Sequence, residues 1–394
     1  MRIYYYEDIF KEVYFMNFKL TKEQKSLKEM IRDFVKKEIE PIAAKSDESG
    51  EFPKETFNKM KDLGLLGLPF PKEYGGTGGD YFSYALAVEE ISKACAATGI
   101  SYSVSTSLCA SPILQYGTEE QKQKYLSQIA SGKVLGGFGL TEPNAGTDAG
   151  GQQTTAVLDG DHYILNGEKK FTTNSPVADI FVVFAMTDKE KGPKGISAFI
   201  VEKSFPGFSI GKLEDTMGLR AAKVAETIYK DCKVPKENLL GKEGDGFKIA
   251  MQTLDGGRIG VAAQALGIAQ GAFEKAKKYM MERKQFGKAL CKFQGLQWMM
   301  ADMDLKIEQA RYLVYKAAWE KDNGLPYSLS AARAKLAATD AAMFVTTEAV
   351  QLFGGYGYIK DYPVERMMRD AKITQIYEGT NQVQKMVIAG NIFR

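Results

Sequence analysis

Histidine occurs once in the 394 residues, at position 162. A single imidazole leaves one chance for a Ser–His nucleophile pair and none for an HExxH zinc site or a histidine-rich metal cage. Next to Asp161, in a predicted hairpin, it reads as a strand surface residue and not as a catalytic base. The four cysteines, Cys95, Cys109, Cys232 and Cys291, are scattered and form no CxxC pair. Neither a disulfide framework nor a zinc ribbon is indicated. No G-x-G-x-x-G follows a strand and no G-x-x-x-x-G-K-[ST] occurs, so a Rossmann or P-loop phosphate cradle is unsupported. Gly75, Gly76, Gly78 and Gly79 read as a surface turn.

Four stretches remain in which residue types and spacing could carry chemistry. They are Phe138-Gly-Leu-Thr-Glu-Pro-Asn-Ala-Gly-Thr-Asp148; Lys170-Phe-Thr-Thr-Asn174; Asp255-Gly-Gly-Arg258 with Glu282-Arg-Lys-Gln-Phe-Gly287; and Gln351-Leu-Phe-Gly-Gly-Tyr-Gly357 with Ile376-Tyr-Glu-Gly-Thr-Asn-Gln382. Taken singly, each has a plain structural explanation. Thr-Glu-Pro is a loop, Asp255 and Arg258 are an i,i+3 helix ion pair, and Gly354-Gly355 is a helix stop.

The elements that must hold these stretches follow from periodicity. Thr21 and Gln24 make a T-x-x-Q capping box ahead of the stripe Leu27, Ile31, Phe34 and Val35. Pro41 is expected to close that helix, and helical segments continue over 55–130. The period then changes. Asp159-Gly160 is a tight-hairpin signal, Ile180 to Ala185 reads as a buried strand, and Ile196, Ala198 and Ile200 alternate. Past Gly246 the helical period returns, predicting helices over about 247–283, 293–322 and 328–353. The last should stop at Gly354-Gly355 in a left-handed cap. The fold class is therefore α+β and mainly helical, not the alternating βαβ of a doubly wound sheet. The expected division is an N-terminal extension over 1–15, helices over 16–132, a β domain over 133–242 and a helical domain over 243–394. Met16 directly precedes the first helix start, which is why 1–15 is set apart.

Composition narrows the function classes. With 52 Lys and Arg against 49 Asp and Glu, the net charge of +3 is too balanced for a protein built around a nucleic-acid-binding face. No apolar run approaches the roughly 18 residues of a membrane span. The N-terminus lacks a signal-peptide core, and its acidic residues argue against an organelle transit segment. A cytoplasmic location is expected.

Together the four stretches resemble the acyl-CoA dehydrogenase family, over nearly the whole chain from Met16 to Arg394. The T-E-P-x-A-G-T-D, R-x-Q-F-G and I-Y-E-G-T motifs, in this order and spacing, are specific. Gly151–Gly160 and Asp361–Thr374 look most like bacterial short-chain, butyryl-CoA type members. The resemblance implies an N-terminal helical domain, a central β-barrel-like domain, a C-terminal four-helix bundle, bound FAD and a homotetramer. It also implies α,β-dehydrogenation of an acyl-CoA thioester, with electrons passed to an electron-transferring flavoprotein. Three alternatives stay open: an enoyl-CoA reductase in an electron-bifurcating complex, a dehydrogenase of branched or cyclic acyl-CoA, and, more distantly, a non-enzymatic scaffold.

By the same resemblance, Glu378 matches the catalytic base, whose backbone N–H would polarise the thioester carbonyl together with a flavin ribityl hydroxyl. Flavin contacts carry over at Phe138, Leu140, Thr141, Thr147, Phe171, Thr172, Thr173, Arg283, Phe286, Gln294, Thr380 and Gln382. Gln351 and Gly355 match contacts from a neighbouring subunit. Thr147, Asp255, Arg258 and Gly379 match acyl-CoA contacts. Many relatives carry tryptophan and isoleucine where this chain has Phe171 and Thr172. Some place the carboxylate at the position of Gly257, which here has no side chain. The segment Thr98–Ser111 would help wall the acyl pocket, with small Ser105 and Ser111 where related chains often carry rings.

Overall fold

The computed structural model describes residues 19–393; the expected extension 1–15 lies outside them. The capping box forms as read. Thr21 Oγ1 accepts from the Gln24 N–H and Gln24 Oε1 accepts from the Thr21 N–H, both at 3.1 Å. These bonds satisfy two donors at the start of the helix Lys22–Phe34. That helix does not run on to Pro41. It widens into a π-turn over Val35–Ile39 and tightens over Glu40–Ile42, where Pro41 needs no N–H partner. The helices Tyr81–Ser92 and Ala96–Ser103 complete the inner layer of this region.

The middle of the chain is a single sheet of eight strands: β1 Gly136–Gly139, β2 Thr155–Asp159, β3 His162–Thr173, β4 Ile180–Met186, β5 Ile196–Glu202, β6 Phe208–Leu213, β7 Val224–Pro235 and β8 Leu239–Leu240. Their order is β6-β7-β3-β2-β4-β5-β8, with β1 parallel to β4. The hairpin β2–β3 pairs Asp159 with His162 around Gly160, whose φ of +62° suits a residue without Cβ.

The barrel-like closure expected from the resemblance does not occur. β6 and β8 are free ends, and β2 meets β4 through one residue pair, Thr155 with Met186. The sheet therefore splays into two wings. Its faces are covered by side chains instead of by closure. Phe181, Val183 and Phe199 point into one core with Leu165 and Val234. Val182, Phe184 and Ile200 pack on Ile113, Leu126 and Ile249 from the helices.

The long helix Gly246–Glu282 is the spine of the molecule. Gln294–Asp322 and Ser328–Phe353 pack beside it, followed by Val364–Thr374 and Asn381–Ile392. The sequence limits agree to within one residue for the three long helices. The stop differs, because Gly354 takes φ +61° with ψ −140°, outside the left-handed helical region. One core joins the first helices to the last. Ile31, Tyr84 and Ile91 meet Ile259 and Leu266, which meet Ala334 and Val345. Close crossing of the spine on the Tyr81–Ser92 helix requires Gly267, where a Cβ would stand 2.3 Å from the Glu89 carbonyl oxygen. Among the described residues no helix is long and apolar enough to cross a membrane, and no cluster suited to a metal ion occurs.

Candidate active site

Glu378 sits on the turn between the two C-terminal helices. Its own φ is +51°, a left-handed conformation that a side chain normally avoids. Neighbours enforce it. Asn381 N–H donates to the Gln375 carbonyl at 2.9 Å, closing the turn, and Gln384 Nε2 donates to the Gly379 carbonyl at 2.8 Å. Thr380 caps the following helix by accepting from the Val383 N–H. Tyr377 OH donates to Gln264 Oε1 on the spine, and Gln264 in turn donates to the Ala96 carbonyl. Strain held by surrounding structure marks functional sites more often than structural ones.

Both carboxylate oxygens of Glu378 are buried and accept from nothing among the described residues. Burial pushes the carboxyl up to about 7, although Lys335 and Arg258 pull it down. The carboxylate lies over the spine at Gly257, where a Cβ would stand 2.1 Å from Glu378 Oε2 and 2.7 Å from Leu108 Cδ2. The glycine is thus an imprint of the acid. Flanking Gly257 within a single turn, Asp255 and Arg258 form the expected ion pair at 2.5 Å, largely buried. Arg258 Nε is left without an acceptor.

The other stretches assemble in two places. On β1 and the end of β3, Phe138, Leu140 and Thr141 lie next to Phe171, Thr172 and Thr173. A buried pair staples the two segments: Lys169 Nζ meets Glu142 Oε1 at 2.7 Å, Gln152 Oε1 at 2.9 Å and the Leu140 carbonyl at 3.3 Å. Glu142 also accepts from the N–H groups of Gln153 and Thr154. Burial works to raise the Glu142 pKa, but Lys169 and these donors hold it below the ordinary value. Phe171 is 64% exposed at φ +55°, a ring held outward on a strained backbone, and Thr172 Oγ1 is buried with no partner. An outward aromatic face beside orphaned polar atoms suits a planar ring with hydrogen-bonding edges such as a flavin. Thr147 is exposed at the rim.

This platform and Glu378 are linked by the Val104–Ala110 turn. Its Ser105 Oγ accepts from the Gly136 N–H at 3.0 Å, tying it to β1, while Leu108 reaches the Gly257–Glu378 contact. Leu108 is thus a member of the expected pocket wall that meets the acid, while the Ser105 hydroxyl is engaged with β1.

Arg283, Phe286, Gln294, Gln351 and Gly355 are not brought to this place. They cluster on the exposed far end, where the Arg283 guanidinium lies 5.5 Å from the Tyr356 ring and Phe286 is 93% exposed. From Gly257 to Arg283 the spine rises about 40 Å. That end of the spine is far from Glu378 and Gly257. Gln382 is exposed on the last helix, close in sequence to Gly379 and Thr380.

Comparison with known proteins identifies the family. The chain matches the acyl-CoA dehydrogenase N-terminal domain over residues 21–133, the middle domain over 137–232 and the C-terminal domain over 244–393. The chain belongs to the acyl-CoA dehydrogenase family. Among relatives of this dehydrogenase, the "Acyl-CoA dehydrogenase, short-chain specific" of Clostridium acetobutylicum is 65% identical over 379 residues, covering 96% of this chain and all of that protein. The solved structure of butyryl-CoA dehydrogenase from Megasphaera elsdenii is 55% identical with a TM-score of 0.95, over 96% of this chain and 100% of the other. A chain in a structure described as "Electron transferring flavoprotein of Acidaminococcus fermentans: Towards a mechanism of flavin-based electron bifurcation" is 61% identical, with TM-score 0.95 and the same coverage.

Sequence reasoning passed over Lys169, Lys335 and Gln384, all fully buried. One signal was present. Lys335 interrupts the apolar stripe Ala331, Ala334, Ala338 and Ala342, where a charge is out of place unless it has a task.

Proposed function

We propose that this acyl-CoA dehydrogenase is an FAD-dependent, short-chain enzyme that converts butyryl-CoA to crotonyl-CoA and passes the electrons to an electron-transferring flavoprotein. The observation that carries the proposal is the Glu378 carboxylate: buried, without a donor, and lying over Gly257 between Asp255 and Arg258 on the spine. A base needs a pKa near the working pH, and a dry pocket supplies it. Glu378 takes the α-proton of the thioester. Its backbone N–H donates to no acceptor among the described residues and is free to bind the thioester oxygen as negative charge develops there. Bound FAD supplies the acceptor for the hydride that leaves the β-carbon. Phe138, Leu140, Thr141, Thr147, Phe171, Thr172, Thr173, Thr380 and Gln382 hold that cofactor from its own chain. Arg283, Phe286, Gln294, Gln351 and Gly355 reach it from a neighbouring subunit of a homotetramer. Thr147, Asp255, Arg258 and Gly379 hold the acyl-CoA.

We further place the unit boundaries at 132/133 and 242/243, in the turns before β1 and before the spine, and the protein in the cytoplasm. The deciding experiment is anaerobic flavin bleaching with acyl-CoAs of increasing chain length, using wild type and Glu378→Gln. Bleaching is expected to be fastest with butyryl-CoA and lost in the variant. A clear preference for a long or cyclic acyl group removes the substrate assignment, and wild-type bleaching by Glu378→Gln removes the mechanism.

The likeness to the chain in the Acidaminococcus structure favours a second direction, crotonyl-CoA reduction inside an electron-bifurcating assembly. The same residues serve it in reverse. NADH-dependent crotonyl-CoA reduction in the presence of electron-transferring flavoprotein separates the two directions.

A further inference from the structure

Lys335 bonds to neither the acid nor the flavin platform, yet it is fully excluded from solvent inside the helical bundle. Its ammonium donates to Asn381 Oδ1 at 2.9 Å and is in ion-pair contact with no carboxylate among the described residues. A cation removed from water with one neutral acceptor is unfavourable unless an anion stands near. Burial pushes Lys335 down to about 7, with Glu378 acting to hold it up, so its charge is present on the acid limb and fades above neutrality. Asn381 is itself fixed: its side-chain amide donates to Thr339 Oγ1 at 2.9 Å and Asp340 Oδ1 at 2.8 Å. Its N–H is the one that closes the turn on Gln375. The ammonium is thus anchored to the end of the turn that carries Glu378, whose oxygens also lack a donor. A buried cation without an anion and a buried anion without a cation share one small region. The remaining nearby cation, Arg258, is already paired with Asp255.

We propose that Lys335 is the counter-charge that keeps Glu378 ionised in its dry pocket. It is a positioning residue, acting on the base across space and through Asn381 without touching the substrate. The proposal rests on Glu378 being the base. The other titratable groups facing Glu378 are the phenols of Tyr81, Tyr84 and Tyr377, each pushed up by burial and neutral throughout the working range. Asp340 faces Lys335 from the far side of Asn381 and lies toward solvent.

Removing the positive charge raises the pH at which Glu378 ionises, so activity should begin at higher pH. The test is stopped-flow flavin bleaching by saturating butyryl-CoA from about pH 5 to about pH 9, which reports the base in the substrate complex. The proteins are FAD-loaded wild type, Lys335→Met, Lys335→Gln, Lys335→Arg and Glu378→Gln. In Lys335→Met and Lys335→Gln the acid limb should move up by about one pH unit, a loss of about tenfold in rate below it. In Lys335→Arg the limb should stay near its wild-type position. The glutamine variant separates charge from scaffolding, because its amide can still donate to Asn381; it also decides the matter if the methionine variant fails to load flavin. An unmoved limb in Lys335→Gln overturns the proposal, as does a limb in Lys335→Arg that moves as far as in Lys335→Met. Failure of all three variants to load flavin makes Lys335 a builder of the turn only, and overturns it too. Wild-type bleaching by Glu378→Gln, in contrast, would mean that the base itself is misassigned.

Discussion

Moving the catalytic carboxylate from the turn to the spine is the most demanding test of the site. A Cβ at Gly257 would stand 2.1 Å from Glu378 Oε2 and 3.1 Å from its Cδ, so a side chain rooted there starts inside the volume the acid now fills. Gly257→Glu alone therefore crowds two carboxyl groups into one pocket, where one must be expelled or stay protonated. Glu378→Gly alone removes the general base, a loss of about 10²–10⁴-fold. It also relieves the left-handed backbone at φ +51°, worth about 1 kcal/mol. In the double variant the new Cδ lies two bonds beyond a Cβ already at the old carboxylate. At the new Cβ the terminal Cδ2 of Leu108, 2.7 Å away, has to turn aside. The approach differs by about 1 Å, and such a displacement costs about 10²-fold. The double variant should thus bleach flavin about a hundredfold slower than wild type and faster than Glu378→Gly, with FAD content unchanged. Anaerobic stopped-flow with butyryl-CoA measures all four proteins. A flavin-loaded double variant no faster than Glu378→Gly refutes the placement of the substrate α-carbon between Gly257 and Glu378.

Three further outcomes follow from the same geometry. Burial raises Glu378 from 4.5 to about 7 in the folded protein. Stability from this group is therefore complete below about pH 4.5 and is lost as pH rises through 7, so Glu378→Gln should melt higher than wild type at pH 8, by up to about 3 kcal/mol, with the gap closing toward pH 5. Glu142→Gln leaves Lys169 buried and unpaired and should cost about 3–5 kcal/mol in thermal melts. Adding Lys169→Met should return part of it, and equal losses in the single and double variants would contradict the stapling role. Phe286→Ala touches a ring that is 93% exposed and should leave the melt of the apoprotein unchanged while lowering FAD retention on gel filtration. Unchanged retention would separate Phe286 from the flavin.

Most of the helical frame was readable, because a 3.6-residue period sustained for more than 20 residues has few competing explanations. The hairpin at Asp159-Gly160 was legible for a similar reason, since a two-residue turn of that type leaves the chain little choice. The open sheet was not. Alternation in Ile196, Ala198 and Ile200 hides that Phe199 and Val201 bury the opposite face too, and it says nothing of whether β6 will find β8. Ser105 looked like free pocket lining because its hydroxyl gave no sign of the Gly136 N–H it accepts from, 31 residues away. Glu378 was found through a motif and not through any periodicity; Lys169 looks in sequence like any solvated lysine, and Lys335 betrays itself only by breaking an alanine stripe. Burial of a charge is decided by partners distant along the chain, and periodicity carries no information about those. The far-end group around Phe286 shows the same limit, since its distance from Gly257 is set by the length of a helix and not by motif spacing.

The core that runs without a break from Ile31 through Ile259 to Val345 has a consequence for synthesis. The first helices carry Tyr84, Leu86 and Ile91 on faces whose covering residues lie far downstream, on the spine and the bundle. At about 5–20 residues per second, the ribosome needs on the order of ten seconds or more to reach them after the Tyr81–Ser92 helix has emerged. During that interval the nascent chain presents an uncovered apolar surface, with the strands of the splayed sheet and their free edges arriving in the middle of it. The region that closes last in time, from Val364 to Ile392, also delivers Glu378. Catalytic competence therefore waits for the turn between Val364–Thr374 and Asn381–Ile392, made long after the first apolar helices.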